Sequence, residues 1–211
     1  MSVRFDAAAY SSEADYASLD ARSRDVLDCW FGVPASSEYG KDQKRWFKRS
    51  EAFDAMLRER FGTLIEAALA HEHDAWLATP LGSLALVIVL DQFTRNCHRH
   101  SARMYDGDAQ AVSIARRMVG EGSDLMLPTV YHRAFAYIPF EHDETLDGQR
   151  EGMRLYALLE TQGLAPSYAR SAVRHAEVIA RFGRFPHRNA LLGRESTNDE
   201  IAFLREPGSS F

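Results

Sequence analysis

The chain has 211 residues and a formal net charge of −5, with 45% hydrophobic and 26% charged residues. This length suits one domain with a sizeable core, and the composition is that of an ordinary globular protein. The acidic balance disfavours a nucleic acid or an anionic membrane as the main partner.

The two cysteines, Cys29 and Cys97, have no CxxC spacing and are expected to be reduced thiols in or near the core. The first residues lack the apolar segment of a signal peptide. The longest apolar stretch, residues 81–90, is about half of the roughly 20 residues that a membrane-spanning helix needs. The sequence therefore predicts a soluble, cytoplasmic protein.

Residues 1–17 are small and polar without periodicity, and we expect them to be a loose lead-in to a single helical domain over residues 18–211. The first helix is expected over residues 18–31, because glycine and proline come directly after it. Ser50 is expected to cap a second helix, in which apolar residues recur every three to four positions.

Thr79 and Pro80 mark the start of the third helix, with a capping hydroxyl before a proline at the first helical position. The next run, LGSLALVIVLDQF, is apolar on every side, which indicates a central helix. The β-branched residues 87–89 also fit a buried strand. The pattern continues to about Cys97, and this length favours the helix.

The remaining signals predict further helices and their ends. Gly120 and Gly183 are expected to end two of them, Pro139 to break a third, and Thr197 with Glu200 to form a capping box. The helices are expected over residues 108–119, 129–137, 146–160, 166–182 and 197–205. About eight helices with no alternating strand pattern predict an all-α array.

The first polar cluster ends the central helix, where Asp91 and Arg95 share one helical face and Gln92 and Asn96 share another. Asp91 lies in line with apolar neighbours, so these groups are expected to point inward. A buried Asp–Arg pair that fixes helix packing is the favoured interpretation, since one such pair is weak evidence of function.

The second cluster comes after the expected break at Pro139. For Glu141 and Asp143 we favour an acidic first turn that complements a helix dipole. For His142 and Glu144 that interpretation and a role in proton transfer both stay open, because a histidine beside a carboxylate suits acid–base catalysis. A metal site formed by His142, Glu144 and His175 or His187 is the least favoured alternative, because no motif sets the spacing of these residues, and no metal ligands are predicted.

The third cluster is a Gly/Pro loop that carries Arg184, His187, Arg188 and Arg194. Guanidinium groups bind phosphate or carboxylate through paired hydrogen bonds, so this basic loop in an acidic protein favours an anion site. The alternative is a loop whose side chains hold helix ends together. His175 faces the core side of its helix and is expected to be hydrogen-bonded there. Because each cluster lies at a helix end, we expect the three to meet in space.

The stretches LDCWFG, RWF, LALVIVLDQFTRN, FAYIPFEHDETLDGQ and HAEVIARFGRFPHRNALLGREST occur in this order over about residues 27–204. In them the chain resembles the bacterial domain of unknown function 924 family. The resemblance implies a tetratricopeptide-like α-α superhelix and brings no established activity or cofactor with it.

The family's polar pattern matches twelve positions of this chain: Asp91, Gln92, Arg95, Asn96, His142, Glu144, His175, Arg184, His187, Arg188, Asn189 and Arg194. Two places depart from the pattern. Residues 97–100 read Cys-His-Arg-His where the family has Phe-Arg-Gly, and residues 142–145 read His-Asp-Glu-Thr where it has His-Ser-Glu-Asp.

Two functions stay open at this point. The matched residues are expected to bind a small anionic ligand bearing phosphate or carboxylate, with His142 and Glu144 as tentative acid–base residues. Alternatively, the chain is a non-catalytic tetratricopeptide-like module that binds an acidic peptide or protein through the same arginines. A closed pocket would favour the first function and an open basic groove the second.

Overall fold

The computed structural model describes residues 11–210, and within them every regular element is helical. The α-helices are α1 Ser12–Ser18, α2 Ala21–Phe31, α3 Glu51–Leu69, α4 Pro80–Val87, α5 Thr94–Cys97, α6 Asp108–Glu121, α7 Val130–His142, α8 Leu146–Thr161, α9 Pro166–Phe182 and α10 Asn198–Phe203. A π-helical segment, Ile88–Phe93, joins α4 to α5. The all-α class is confirmed, and residues 84–90 are helical rather than a strand.

Short 3₁₀ turns punctuate the connections at Lys44–Trp46, Asp74–Ala78, Ala102–Tyr105, Ser123–Met126 and Pro186–Arg188. Several helix starts are those that the sequence predicts. The hydroxyls of Ser50 and Thr79 accept hydrogen bonds from backbone N–H groups in the first turns of α3 and α4. Thr197 and Glu200 form a capping box at the start of α10.

Three helix limits differ from the prediction. The expected lead-in contains α1, and only its first ten residues lie outside the described part. Helix α6 continues past Gly120 and ends at Gly122, whose φ of 74° is left-handed. Helix α7 passes through Pro139 and ends at His142. Proline removes one backbone hydrogen bond, but α7 is buried continuously from His132 to Glu141, and that packing outweighs the loss.

The central element runs without a break from Pro80 through α4, the π-helical segment and α5 to Cys97. All residues from Pro80 to Thr94 are buried. Helix α4 contacts α1, α2, α6 and α7, so it lies in the middle of the core. Its polar end therefore reaches the site from inside the protein.

Helices α6 to α9 pack in succession, each against the next. Helices α7 and α8 approach closely, since a Cβ at Gly152 would lie 3.2 Å from the Cβ of Phe140. No helix among residues 11–210 is long and apolar enough to cross a membrane. A cytoplasmic location stays a prediction.

Candidate functional site

The site forms where the π-helical segment meets the start of α6. The wider π-helical turn changes the backbone hydrogen bonds of the segment. The hydroxyl of Thr94 donates to the backbone carbonyl of Leu90 at 2.5 Å and so helps to satisfy this acceptor. Gly107 packs directly on the same carbonyl, and a Cβ there would overlap it. Only glycine permits this approach. The approach brings Asp108, the first residue of α6, beside Arg95.

Asp91 lies at the bottom of the site and is completely buried. Its Oδ1 is 2.6 Å from Nδ1 of His142 and 3.0 Å from Nη1 of Arg95, and its Oδ2 accepts from Nε2 of Gln92 at 2.5 Å. Burial opposes ionisation of Asp91, but the charge of Arg95 and the hydrogen bonds from His142 and Gln92 outweigh it and lower its pKa to about 2. Asp91 is therefore a carboxylate that only accepts hydrogen bonds.

His142 occupies the last position of α7, and its side chain is 20% exposed. Burial and the charge of Arg95 lower its pKa, and the opposing effect of Asp91 does not compensate. The imidazole is thus neutral at neutral pH. Because Asp91 can only accept, Nδ1 carries the proton, and Nε2, for which no hydrogen bond exists among the described residues, holds a lone pair.

A chain of alternating charges links the helices around this pair. Arg95 binds Asp91 and Asp108, and Arg188 binds Asp108 at 3.1 Å and the carbonyl of His142 at 3.0 Å.

The Arg188 guanidinium also lies between two aromatic rings, 4.7 Å from the ring of Tyr105 and 4.6 Å from the ring of Phe185. Its side chain is only 7% exposed, and its Nε has no hydrogen-bond partner within the described part of the chain.

Glu144 and Arg194 form a second pair at the edge of the site. Nη1 and Nη2 of Arg194 donate to the two oxygens of Glu144 at 2.6 and 3.0 Å, and the backbone N–H of Phe185 donates to Glu144 at 2.7 Å. Burial raises the pKa of Glu144, but these hydrogen bonds outweigh it and hold the pKa below its usual value. Glu144 is thus bound to Arg194 and not to His142, whose acid–base partner in the structure is Asp91.

The prediction that the three clusters meet is confirmed, since His142 contacts Asp91 and Arg188 contacts the carbonyl of His142. Not every predicted site residue joins them. The Asn96 side chain donates to Asp54 of α3 at 2.7 Å, and Asn189 donates to Ser196 at 3.0 Å. These two amides connect helices and loops away from the His142 side chain.

The arginine loop is held together by carboxylates at each of its three arginines. Arg184 binds Glu200 at 2.7 Å, and Arg188 and Arg194 bind the carboxylates described above. This pairing favours the interpretation that the loop holds helix ends together, above all for Arg184. His187 lies beside Phe185 with ring centroids 5.6 Å apart, and burial, with a smaller effect of Arg188, lowers its pKa to about 4.

A second buried cluster lies behind His142, and sequence reasoning predicts only one member of it correctly, the core-facing and hydrogen-bonded His175. Glu141 accepts from the Ser171 hydroxyl at 3.0 Å and lies 3.2 Å from Nδ1 of His175, whose ring centroid is 6.3 Å from that of His142. Burial raises the pKa of Glu141 to about 7, and burial lowers that of His175 to about 3. The expected acidic first turn at Glu141 is wrong, because Pro139 does not end α7. The sequence feature that indicates a buried Glu141 is the uninterrupted apolar run directly before it.

Asp108 and Gln149 escape sequence reasoning for a different reason. Asp108 starts a helix, where an acidic residue has a sufficient local explanation. The two N–H groups of Gln149 Nε2 are shared among the carbonyls of Phe140, Glu141 and Asp143, at 3.1, 2.9 and 2.7 Å, and so cap the end of α7. Neither role has a spacing motif, so sequence alone gives no signal for it.

Among residues 11–210 no group of three or more His, Cys, Asp or Glu side chains could hold a metal ion. Two surface clefts of about 490 and 410 Å³ lie elsewhere. The first is lined by residues of α2, α3 and their connection, and the second by residues near α10. Neither is lined by Asp91 or His142. The site therefore coincides with neither of these two clefts, and its accessible part is the His142 side chain, which is 20% exposed.

Comparisons with known proteins place the chain in a family. No curated protein matches it. A solved structure of a protein of unknown function from Agrobacterium tumefaciens is 36% identical, with a TM-score of 0.76, and the match covers 88% of this chain and 97% of that one. Residues 26–208 match the model of a bacterial protein family of unknown function, DUF924. The chain belongs to the DUF924 family.

Proposed function

We propose that the chain binds a small molecule bearing a phosphate or carboxylate group beside His142, and that His142 and Asp91 move a proton on that molecule. The observation that carries the proposal is the 2.6 Å contact between Nδ1 of His142 and Asp91. It fixes the tautomer in which Nε2 accepts a proton, the arrangement that a general base requires. Glu144 takes no part in this step, because Arg194 binds both of its oxygens.

The lowered pKa of His142 supports this role. A general base must be unprotonated at the working pH, and burial together with Arg95 keeps the imidazole neutral. Ionised Asp91 would then stabilise the imidazolium that forms once a proton is accepted. Gln92 and Arg95 hold Asp91 in place, so the acceptor of Nδ1–H does not move during the transfer.

The pairing of the arginines with carboxylates limits the affinity of the site for an anionic ligand. Arg95, Arg188 and Arg194 face Asp91, Asp108 and Glu144, so the charges of the site already balance. An added anion would therefore be held by the remaining guanidinium N–H groups rather than by an excess of positive charge, and we expect modest affinity. The Nε of Arg188, unpartnered among residues 11–210, is one such group.

The alternative function, a module that binds an acidic peptide, has less support. It needs accessible arginines, whereas Arg184, Arg188 and Arg194 are each bound to a carboxylate. We retain the tetratricopeptide-like superhelix as a proposal about the fold. The successive packing of α6, α7, α8 and α9 supports it.

The first test is an NMR titration of the histidine ring protons with inorganic phosphate and with acetate as probes. An anion bound beside His142 favours the imidazolium, so we expect its pKa to rise by about one unit. Exposed His100 is the internal reference. Arg188→Gln should remove the response, and phosphate should raise the melting temperature of the wild type only. If His142 responds no more than His100, the ligand site is rejected.

The second test concerns proton transfer. Hydrolysis of p-nitrophenyl phosphate and p-nitrophenyl acetate is measured for the wild type and for His142→Gln. Loss of a general base lowers the rate by about 10²–10⁴-fold. His100→Gln, a change of the same chemistry at an exposed position, should leave the rate unchanged. Equal rates for wild type and His142→Gln would show that the pair does not catalyse these reactions.

A further inference from the structure

All lysines of the chain lie in one segment. Of its 25 lysines and arginines only three are lysines, and these are Lys41, Lys44 and Lys48, in the connection between α2 and α3. All three are exposed. Arginine and lysine differ in use, because a guanidinium gives directed paired hydrogen bonds while an ammonium is a mobile, strongly hydrated point charge.

The lysines also differ from most arginines in their pairing. The ion pairs of the described chain are made by arginine and histidine, including Arg45 with Glu38 at 3.5 Å and Arg49 with Glu51 at 3.9 Å. None of the three lysines takes part in an ion pair among residues 11–210. Their charges are therefore available to a partner.

Phe47 lies among these lysines and is 64% exposed. Its ring lies almost parallel to Phe135, at 15° with centroids 6.4 Å apart, and 5.5 Å from the ring of Tyr168. The loop beneath it is anchored, since Arg45 and the Trp46 indole N–H both donate to the carbonyl of Trp30. These contacts hold the exposed ring of Phe47 in a fixed position.

We propose that this basic–aromatic loop, formed by Lys41, Lys44, Phe47 and Lys48, binds an anionic phospholipid surface. Phe47 enters the boundary between headgroups and acyl chains, and the lysine ammonium groups lie at the level of the phosphates. Such a contact needs no directed hydrogen bonds, which suits lysine. It is a peripheral contact and independent of the His142 site.

The net charge of −5 disfavours a membrane as the main partner of the whole chain, but a membrane surface acts over a short range. At physiological ionic strength charges are screened beyond about 8 Å. A membrane surface therefore interacts with the local positive charge of this loop and not with the net charge of the whole chain. Within it Asp42 is the one acidic residue between Lys41 and Lys48, and it accepts a hydrogen bond from Tyr168.

Two other kinds of partner fit less well. Protein interfaces are depleted in lysine, whereas three of the five basic residues between Lys41 and Arg49 are lysines. Single-stranded nucleic acid stacks successive bases on several aromatic rings. The large hydrophobic side chains exposed in the described part of the chain are aliphatic apart from Phe47, so a second ring for stacking is lacking there.

The test is co-sedimentation of the full chain with vesicles of phosphatidylcholine alone and of phosphatidylcholine mixed with phosphatidylglycerol. We expect binding to the anionic vesicles only, and its loss as salt is raised. The triple variant Lys41→Gln, Lys44→Gln, Lys48→Gln should bind on the order of a hundredfold more weakly, from three lysine contacts. Phe47→Ser should weaken binding on the order of tenfold.

The control removes three positive charges elsewhere, as Arg150→Gln, Arg154→Gln and Arg205→Gln, at exposed positions. It should bind like the wild type, and circular dichroism should show that every variant is folded. A wild type that does not bind anionic vesicles at low salt overturns the proposal. Equal binding by the lysine variant also overturns it, as does binding of a single-stranded oligonucleotide without binding of vesicles.

Discussion

Nδ1 of His142 lies 2.6 Å from Oδ1 of Asp91, although 51 positions separate the two residues in the chain. Both come from irregular stretches of helix. Asp91 lies in the π-helical segment Ile88–Phe93, and His142 ends a helix with a proline inside it. Single π-helical turns inside α-helices are found frequently at functional sites.

Asp91→Asn should destabilise the fold, since it leaves the buried Arg95 with one charged partner fewer and gives His142 a weaker acceptor. Breaking a buried ion pair from one side costs about 3–5 kcal/mol. Urea unfolding measures the loss. Asp147→Asn is the control, because Asp147 is 84% exposed and pairs with Arg150. A loss for Asp91→Asn as small as that of the control would show that Arg95 is held by Asp108 alone.

Gly107→Ala tests the close approach that positions Asp108. The added Cβ would overlap the carbonyl of Leu90, so the start of α6 must shift, at a cost of about 1–3 kcal/mol or more. Gly120→Ala, within the same helix, has no neighbouring atom within 4 Å and should stabilise the protein by about 0.5–1 kcal/mol. Thermal unfolding distinguishes the two. Opposite signs are expected, and equal effects would contradict the packing argument.

Glu141→Gln should change how stability depends on pH. The pKa in the folded protein is about 7, against 4.5 for an ordinary glutamate, so the unfolded chain loses this proton at lower pH than the folded one. Glu141 therefore costs stability increasingly as pH rises from about 4.5 to about 7, and the cost then stays constant. The variant should be more stable above pH 7 by up to about 3 kcal/mol and equally stable below pH 4.5.

Urea unfolding at both ends of that pH range checks the sign. Glu160→Gln, at an exposed position on α8, is the matched control and should differ from the wild type by less than about 0.5 kcal/mol at either pH. A Glu141→Gln variant that is less stable than the wild type at high pH would show that the ionised carboxylate is favoured inside the protein.

Local chemistry explains which parts of the fold can be predicted. A hydroxyl before an apolar stripe, as at Ser50 and Thr79, starts a helix whatever surrounds it. Pro139 and Gly120 give wrong predictions of helix ends, because whether a proline or a glycine ends a helix depends on how that helix is packed. The loss of one hydrogen bond at Pro139 is small beside the burial of α7, and Gly120 is tolerated inside α6.

The meeting of the three clusters is predictable, because buried polar groups at helix ends must satisfy one another. The partners within them are not. A π-helical turn holds more residues than a regular one, so it rotates the side chains that come after it. Asn96 therefore reaches Asp54 of α3 instead of the site, and Glu144 is bound by Arg194, 50 residues further along the chain. Neither contact can be predicted from the spacing of these residues in the sequence.

The last prediction concerns the Glu144–Arg194 pair, which fixes the loop that carries Arg188. Glu144→Gln, Arg194→Gln and the double variant form a mutant cycle, measured by urea unfolding. Both side chains are about a quarter exposed, and the two nitrogen–oxygen contacts are parallel, so we expect a coupling of about 1–2 kcal/mol. The same cycle on exposed Arg150 and Asp147 should give about 0–0.5 kcal/mol.

If the pair only stabilises the loop, the histidine pKa values should be the same in all four proteins of the cycle. If it also positions Arg188, its loss should let the Arg188 guanidinium move from the carbonyl of His142, which it now binds at 3.0 Å. The NMR titration of His142 should then change, whereas that of exposed His100 should not. A coupling near zero would mean that Arg194 is held by Asn189 and the carbonyl of Phe185, which it contacts at 2.9 and 3.1 Å.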